Sequence, residues 1–123
     1  VALLASIGAR DSTEIEDLLT GLVKLNLGQL RRGLCPPLYQ AGVRYKRELP
    51  TRERWQTALE TYQLRTGDCE DLASYLAASL QLVGKDCRAA VIDIRPGLKH
   101  CVVLFPDGTI EDPSKKLGMP GPG

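Results

Sequence analysis

Gly67-Asp68-Cys69-Glu70-Asp71-Leu72-Ala73 opens a run that continues to Gly84, and the architecture turns on how that run is read. Leu72, Leu76, Leu80 and Val83 recur at helical spacing and predict one buried stripe. Asp68 suits an N-cap, Asp71 follows three residues on, and Gly84 can close the helix. With Asp68 as cap, Cys69 is the first helical residue, where free backbone N–H groups and the positive end of the dipole favour an anion. A thiol of ordinary pKa, about 8.5, is mostly protonated at neutral pH. The position therefore predicts an activated sulfur, with its own N–H open to an oxyanion.

Downstream of this helix, Cys87 to Ile94 and Leu98 to Phe105 read as strands around Arg95-Pro96-Gly97. Pro106-Asp107-Gly108 then turns the second strand into a third at Thr109 to Glu111. Upstream, Ser12 to Leu30 carries Ile15, Leu18, Leu19, Leu22, Val23, Leu25 and Leu27 at intervals mostly of three and four, with Ser12 or Thr13 as N-cap. That helix stops at Gly33, before Pro36-Pro37. An extended piece around Gly42 to Lys46 follows, then a helix from Thr51 to Tyr62 lined by Trp55, Leu59 and Tyr62, and a break at Arg65-Thr66-Gly67. Helices first and strands afterwards give an α+β class, with a central helix packed on an antiparallel sheet. With 123 residues, 43% of them hydrophobic, the chain suits one core. A single domain is expected over 1–114, with a helical part at 1–33, a core at 42–114 and a Pro/Gly-rich tail at 115–123.

Helical spacing places Cys69 on the side of Leu72, Ala73 and Leu76, which turns its sulfur toward the sheet. The one histidine, His100, lies on the second predicted strand. A three-residue loop at Pro106-Asp107-Gly108 sets Asp112 opposite Val102 and makes His100 its diagonal neighbour on the same face, whereas a two-residue loop would put Asp112 on the other face. Cys69 as nucleophile, His100 as base and Asp112 as orienting partner then form a triad. It would attack an amide or ester carbonyl and pass through a thioester that water or an amine resolves. A metal site of Cys69, His100 and Cys101 is disfavoured, because adjacent strand residues point to opposite faces. Cys35, Cys69, Cys87 and Cys101 are irregularly spaced without a CxxC pair, and free thiols are expected.

Trp55-Gln56-Thr57-Ala58-Leu59-Glu60-Thr61, then Gly67-Asp68-Cys69-Glu70-Asp71-Leu72-Ala73, then His100, then Glu111-Asp112-Pro113-Ser114 together resemble the transglutaminase-like superfamily of bacteria. The likeness covers about Gly42 to Ser114 and is strongest for the transglutaminase-like cysteine proteinases. It implies a papain-like core with the triad at Cys69, His100 and Asp112, and it puts Trp55 near the cleft. Gln63, six residues before Cys69, stands where papain-like enzymes often keep an oxyanion-hole glutamine. Some members bind calcium through the acids that match Asp68, Glu70 and Asp71; by their positions alone, these three read as a helix cap and its dipole partners. No cofactor is otherwise required. The implied activities are a cysteine peptidase or amidase acting on a protein or peptide, or an acyl transferase. A non-catalytic assembly module within a phage or multi-protein bacterial structure is the alternative from another class.

A formal net charge of +1, from 16 basic and 15 acidic side chains, gives no field to attract nucleic acid or an anionic membrane. Arg44, Lys46, Arg47, Arg52 and Arg54 are interrupted by Glu48 and Glu53 and read as a solvated face. No apolar run reaches the roughly 20 residues of a membrane span, and Val1 to Gly8 lacks the basic leader of a signal peptide. A soluble chain is expected, of undefined compartment. Its start at Val1 and its end at Met119-Pro120-Gly121-Pro122-Gly123 fit a piece cut or processed from something larger.

Overall fold

The computed structural model describes residues 11–47 and 54–120. Helix α1, Ser12–Arg31, buries Ile15, Leu19, Val23, Asn26 and Leu30, about one residue per turn. Leu18 and Leu25 belong to the same apolar pattern but are exposed, so the buried face is narrower than expected. The cap is Asp11, one residue before the expected Ser12, because its backbone is extended and its carboxylate accepts from Glu14 N at 2.8 Å. Gly33 turns the chain out of the helix with φ at 71°, and a 3-10 turn at Leu38–Gln40 follows the two prolines.

Strand β1, Arg44–Tyr45, matches the expected extended piece. The expected helix from Thr51 to Tyr62 is corrected: Thr51 lies outside the described residues, Arg54 to Gln56 are not helical, and helix α2 spans Ala58–Leu64. Its cap is Thr57, whose hydroxyl accepts from Glu60 N at 3.2 Å while Glu60 Oε1 accepts from Thr57 N at 3.0 Å. Tertiary bonds hold Gln56 outside the helix. Gln56 N donates to Asp71 Oδ1 at 2.7 Å, and Gln56 Nε2 donates to Thr61 Oγ1 and to the Thr66 carbonyl. At Arg65 the backbone is left-handed, with φ at 64°. The reversal lays strand β2, Thr66–Gly67, parallel to β1, where the sequence suggested only a break.

Helix α3, Cys69–Leu82, is the centre of the molecule and is buried on every side from Cys69 to Ser79. Leu72 and Leu76 lie in the core as the stripe requires, but Val83 is 67% exposed, because the helix end runs past the layers that cover its first three turns. Ala73, Ser74, Ala77 and Ala78 let neighbours approach closely: Asn26 Nδ2 of α1 donates to Ser74 Oγ at 3.2 Å, and Leu38 N donates to Ser79 Oγ at 3.0 Å.

Three antiparallel strands follow: β3, Arg88–Arg95, β4, Leu98–Leu104, and β5, Ile110–Glu111, with β4 in the middle. Ala89, Cys101 and Val103 join the core cluster with α3, whereas His100 lies in the alternate row opposite Ile92. Phe105 N bonds Thr109 O at 2.9 Å around a three-residue loop, and Val103 pairs with Glu111. This register carries Asp112 opposite Val102. Residues 115–120, read from composition as a tail, are tied in. Helix α4, Pro113–Lys116, precedes Leu117, whose carbonyl accepts from Tyr45 N at 2.9 Å, and Met119 N bonds Ser114 O at 2.8 Å.

The protein is thus a mixed α+β fold with four helices and two small sheets among the described residues. None of these helices is long and apolar enough to cross a membrane. The approach of β2 to α3 leaves no room for a side chain at Gly67, where a Cβ would meet Asp71 Cβ at 3.1 Å and Leu72 Cδ2 and Thr61 Cγ2 at 3.2 Å. Gly67→Ala should therefore cost roughly 1–3 kcal/mol of stability, measured by urea denaturation. An unchanged midpoint would contradict this packing.

Candidate active site

Asp68 and Asp71 build the start of α3 together. The Asp68 side chain accepts from the Asp71 backbone N–H and Asp71 Oδ2 accepts from Asp68 N at 3.0 Å, a reciprocal capping box, and Asp68 Oδ1 also accepts from Cys69 N at 2.7 Å. Cys69 is the first helical residue, as its sequence position predicts. Its N–H, however, is engaged by the cap and is not open to an oxyanion, because a buried helix start must satisfy its donors internally.

The Cys69 side chain is 4% exposed, and its thiol donates to Glu70 Oε2 at 3.3 Å. Cys101 pushes the pKa of the same sulfur well above the ordinary thiol value; burial adds to this, and so does the Asp68 charge. His100 acts on the same sulfur in the opposite direction and lowers its pKa. Burial and the acidic neighbours thus oppose the thiolate that a helix N-terminus favours. Alternation along β4 does not keep Cys101 and His100 apart at the sulfur, since both act on it. All four cysteines are buried free thiols.

His100 is 5% exposed, and its Nε2 bonds Asp112 Oδ2 at 2.8 Å. Burial pulls the imidazole pKa down, but the Asp112 hydrogen bond and the Cys69 sulfur outweigh it and raise the value to about 9. Asp112 is itself held below the usual carboxylate range: burial opposes this, and the His100 hydrogen bond prevails. Its other oxygen caps α4, accepting from Ser114 N at 3.1 Å and Lys115 N at 3.4 Å. With Nε2 committed to Asp112, Nδ1 is the ring nitrogen left for Cys69.

The remaining sequence candidates separate. Trp55 is half-buried against the core, and its Nε1 has no acceptor among the described residues. Gln63 is exposed on α2 and is not among the groups that act on the sulfur; the buried glutamine is Gln56. Asp68, Cys69 and Glu70 bring one ligand atom each to within 4.8 Å of one another. Asp71 is not part of that cluster, since its two oxygens accept from the Gln56 and Asp68 backbone. Calcium takes six to eight oxygens, and two carboxylates flanking a sulfur fit it poorly. Glu70 is fully buried, with Oε1 unpartnered. Burial and the neighbouring Cys69, Asp71 and Asp68 raise its pKa well above the ordinary value. Sequence reasoning missed Cys101 as a neighbour of the sulfur, because strand alternation argued against it. It also passed over the capping box written in Thr57-Ala58-Leu59-Glu60.

Compared with known proteins, the chain matches no family model, no curated protein and no solved structure.

His100 is the only histidine, so its ring-proton NMR signal titrates alone. It should report a pKa of about 9, and Asp112→Asn should return it toward the ordinary 6.5 or below. A folded pKa above the unfolded one stabilises fully below pH 6.5, and that stabilisation is lost as pH rises through about 9. The unfolding free energy from urea titrations should fall over that interval by an amount on the order of 3 kcal/mol, and Asp112→Asn should remove most of this fall.

Proposed function

We propose that this chain is a thiol hydrolase with a transglutaminase-like, papain-like core, cleaving an amide or peptide bond through Cys69, His100 and Asp112. The observation that carries this reading is the 2.8 Å bond from His100 Nε2 to Asp112 Oδ2, which leaves Nδ1 to a sulfur at the head of a buried helix. A merely structural histidine needs no carboxylate fixing one nitrogen and a thiol beside the other.

In this mechanism His100, neutral once the pH exceeds its raised pKa of about 9, takes the Cys69 proton at Nδ1, and the sulfur bonds the substrate carbonyl carbon. Asp112 holds the ring and stabilises the imidazolium. The C–N bond then breaks, the imidazolium proton goes to the departing nitrogen, and a thioester remains. Water, deprotonated by the neutral imidazole, adds to the thioester carbon; the S–C bond breaks and the thiol is restored. Trp55 Nε1, a buried donor without an acceptor among the described residues, is the group assigned to the oxyanion, since the Cys69 N–H is occupied by Asp68. The enclosed sulfur requires a side-chain movement to meet a substrate, and its raised pKa places the best turnover on the alkaline side of neutrality.

A peptide pool followed by mass spectrometry tests the reading. Cys69→Ala and His100→Ala should each lower cleavage by a factor on the order of 10³ or more, and Asp112→Asn by roughly 10²–10⁴. Cleavage that survives Cys69→Ala would refute the assignment. A labelled primary amine incorporated in place of hydrolysis would shift it to acyl transfer.

A further inference from the structure

A cavity of about 380 Å³ opens directly against the His100–Asp112 pair. Its walls are Ile92, Leu98, Ile110 and Met119, with Arg95 and Lys115 beside them; Cys69 is not part of the lining. We propose that this cavity receives the leaving half of the substrate, a terminal amino acid residue with a large apolar side chain and a free α-carboxylate. The inference rests on the hydrolase reading above and adds the substrate class.

Position supplies the first argument. The imidazolium must hand its proton to the departing nitrogen, so the leaving half has to lie on the open side of the ring. The cavity touches His100 and Asp112 and not Cys69, so it lies beside the imidazole and apart from the sulfur that carries the acyl group. The fragment leaves as an amine: the C–N bond breaks, the bonding pair stays on nitrogen, and His100 supplies the proton.

Shape and polarity supply the second. Leu98 is 42% exposed and Ile110 is 49% exposed, so two of the large apolar side chains left on the described surface converge on one concavity. The volume stands near the lower end of the roughly 300–1,000 Å³ typical of small-ligand pockets. It suits one residue better than a long peptide.

Charge supplies the third. Asp112 is the one carboxylate in the lining, and His100 already binds it. Arg95 and Lys115 have no salt bridge among the described residues. Two cations at the rim of an apolar cavity, facing a carboxylate that is already paired, leave a positive surplus that an anionic group would complete. On a residue with a large apolar side chain, the group that fits is a free α-carboxylate.

The product side can be probed without knowing the acyl half. N-acetyl-L-leucine, titrated into the protein and followed by the NMR signal of its single histidine, should shift that signal saturably. N-acetyl-L-leucinamide and N-acetylglycine should each bind at least tenfold more weakly, and Arg95→Gln and Lys115→Gln should each weaken the leucine derivative several-fold. Cys69→Ala should leave this binding unchanged. Equal binding of acid and amide, insensitivity to both cation variants, or a histidine signal that does not move would overturn the proposal. Iodoacetamide labelling of Cys69 at alkaline pH separates the two readings. A reactive sulfur without leucine binding would remove only the carboxylate pocket. Leucine binding beside an inert sulfur would overturn the leaving-group assignment and the hydrolase together.

Discussion

The reciprocal cap between Asp68 and Asp71 is the constraint on which the site depends. A helix that starts inside a protein leaves donors that water cannot reach, and each unmet N–H costs as much as a lost hydrogen bond. Here Asp68 takes the Cys69 N–H, Asp71 takes the Asp68 N–H with one oxygen, and its other oxygen takes the Gln56 N–H. One carboxylate therefore joins the start of α3 to the segment leading into α2. Gly67 lets that junction close, since a side chain there would collide with Asp71 and Leu72.

The same cap has an electrostatic consequence. Acids that satisfy a helix start also set negative charge beside the sulfur, and the Asp68 charge opposes thiolate formation just as burial and Cys101 do. Burial and the same acidic neighbours push the Glu70 carboxyl pKa up. The positive influence comes from across the fold, through an imidazole that Asp112 keeps protonated well above its usual range. In electrostatic terms the site is a contest between a structurally necessary cap and a sheet-borne cation.

Asp112 serves two purposes that meet in one side chain. Its Oδ2 holds His100 and its Oδ1 caps α4, so the orientation of the ring and the course of the chain after β5 are fixed together. That course brings Lys115 and Met119 to the cavity beside the imidazole. The chain after Asp112, although short and rich in proline and glycine, is thereby part of the site's surroundings and not an appendage.

The sequence by itself determined the elements whose signals are local. Asp68, Asp71 and Gly84 mark the ends of α3, Gly33 ends α1, and Pro106-Asp107-Gly108 marks a turn whose three-residue length, set by the strand pairing, brings Asp112 beside His100. Capping, turn chemistry and strand alternation act over a few residues and need no partner to be read. Only the tertiary structure decided the rest. Gln56 stays out of the helix because Asp71 and Thr66, distant in sequence, take its polar groups. Val83 is exposed because the covering layers end before it. The Cys69 thiol keeps its proton because Cys101, Asp68 and burial surround it in three dimensions. Those effects depend on which groups share a desolvated volume, and that is a property of packing that no local pattern encodes.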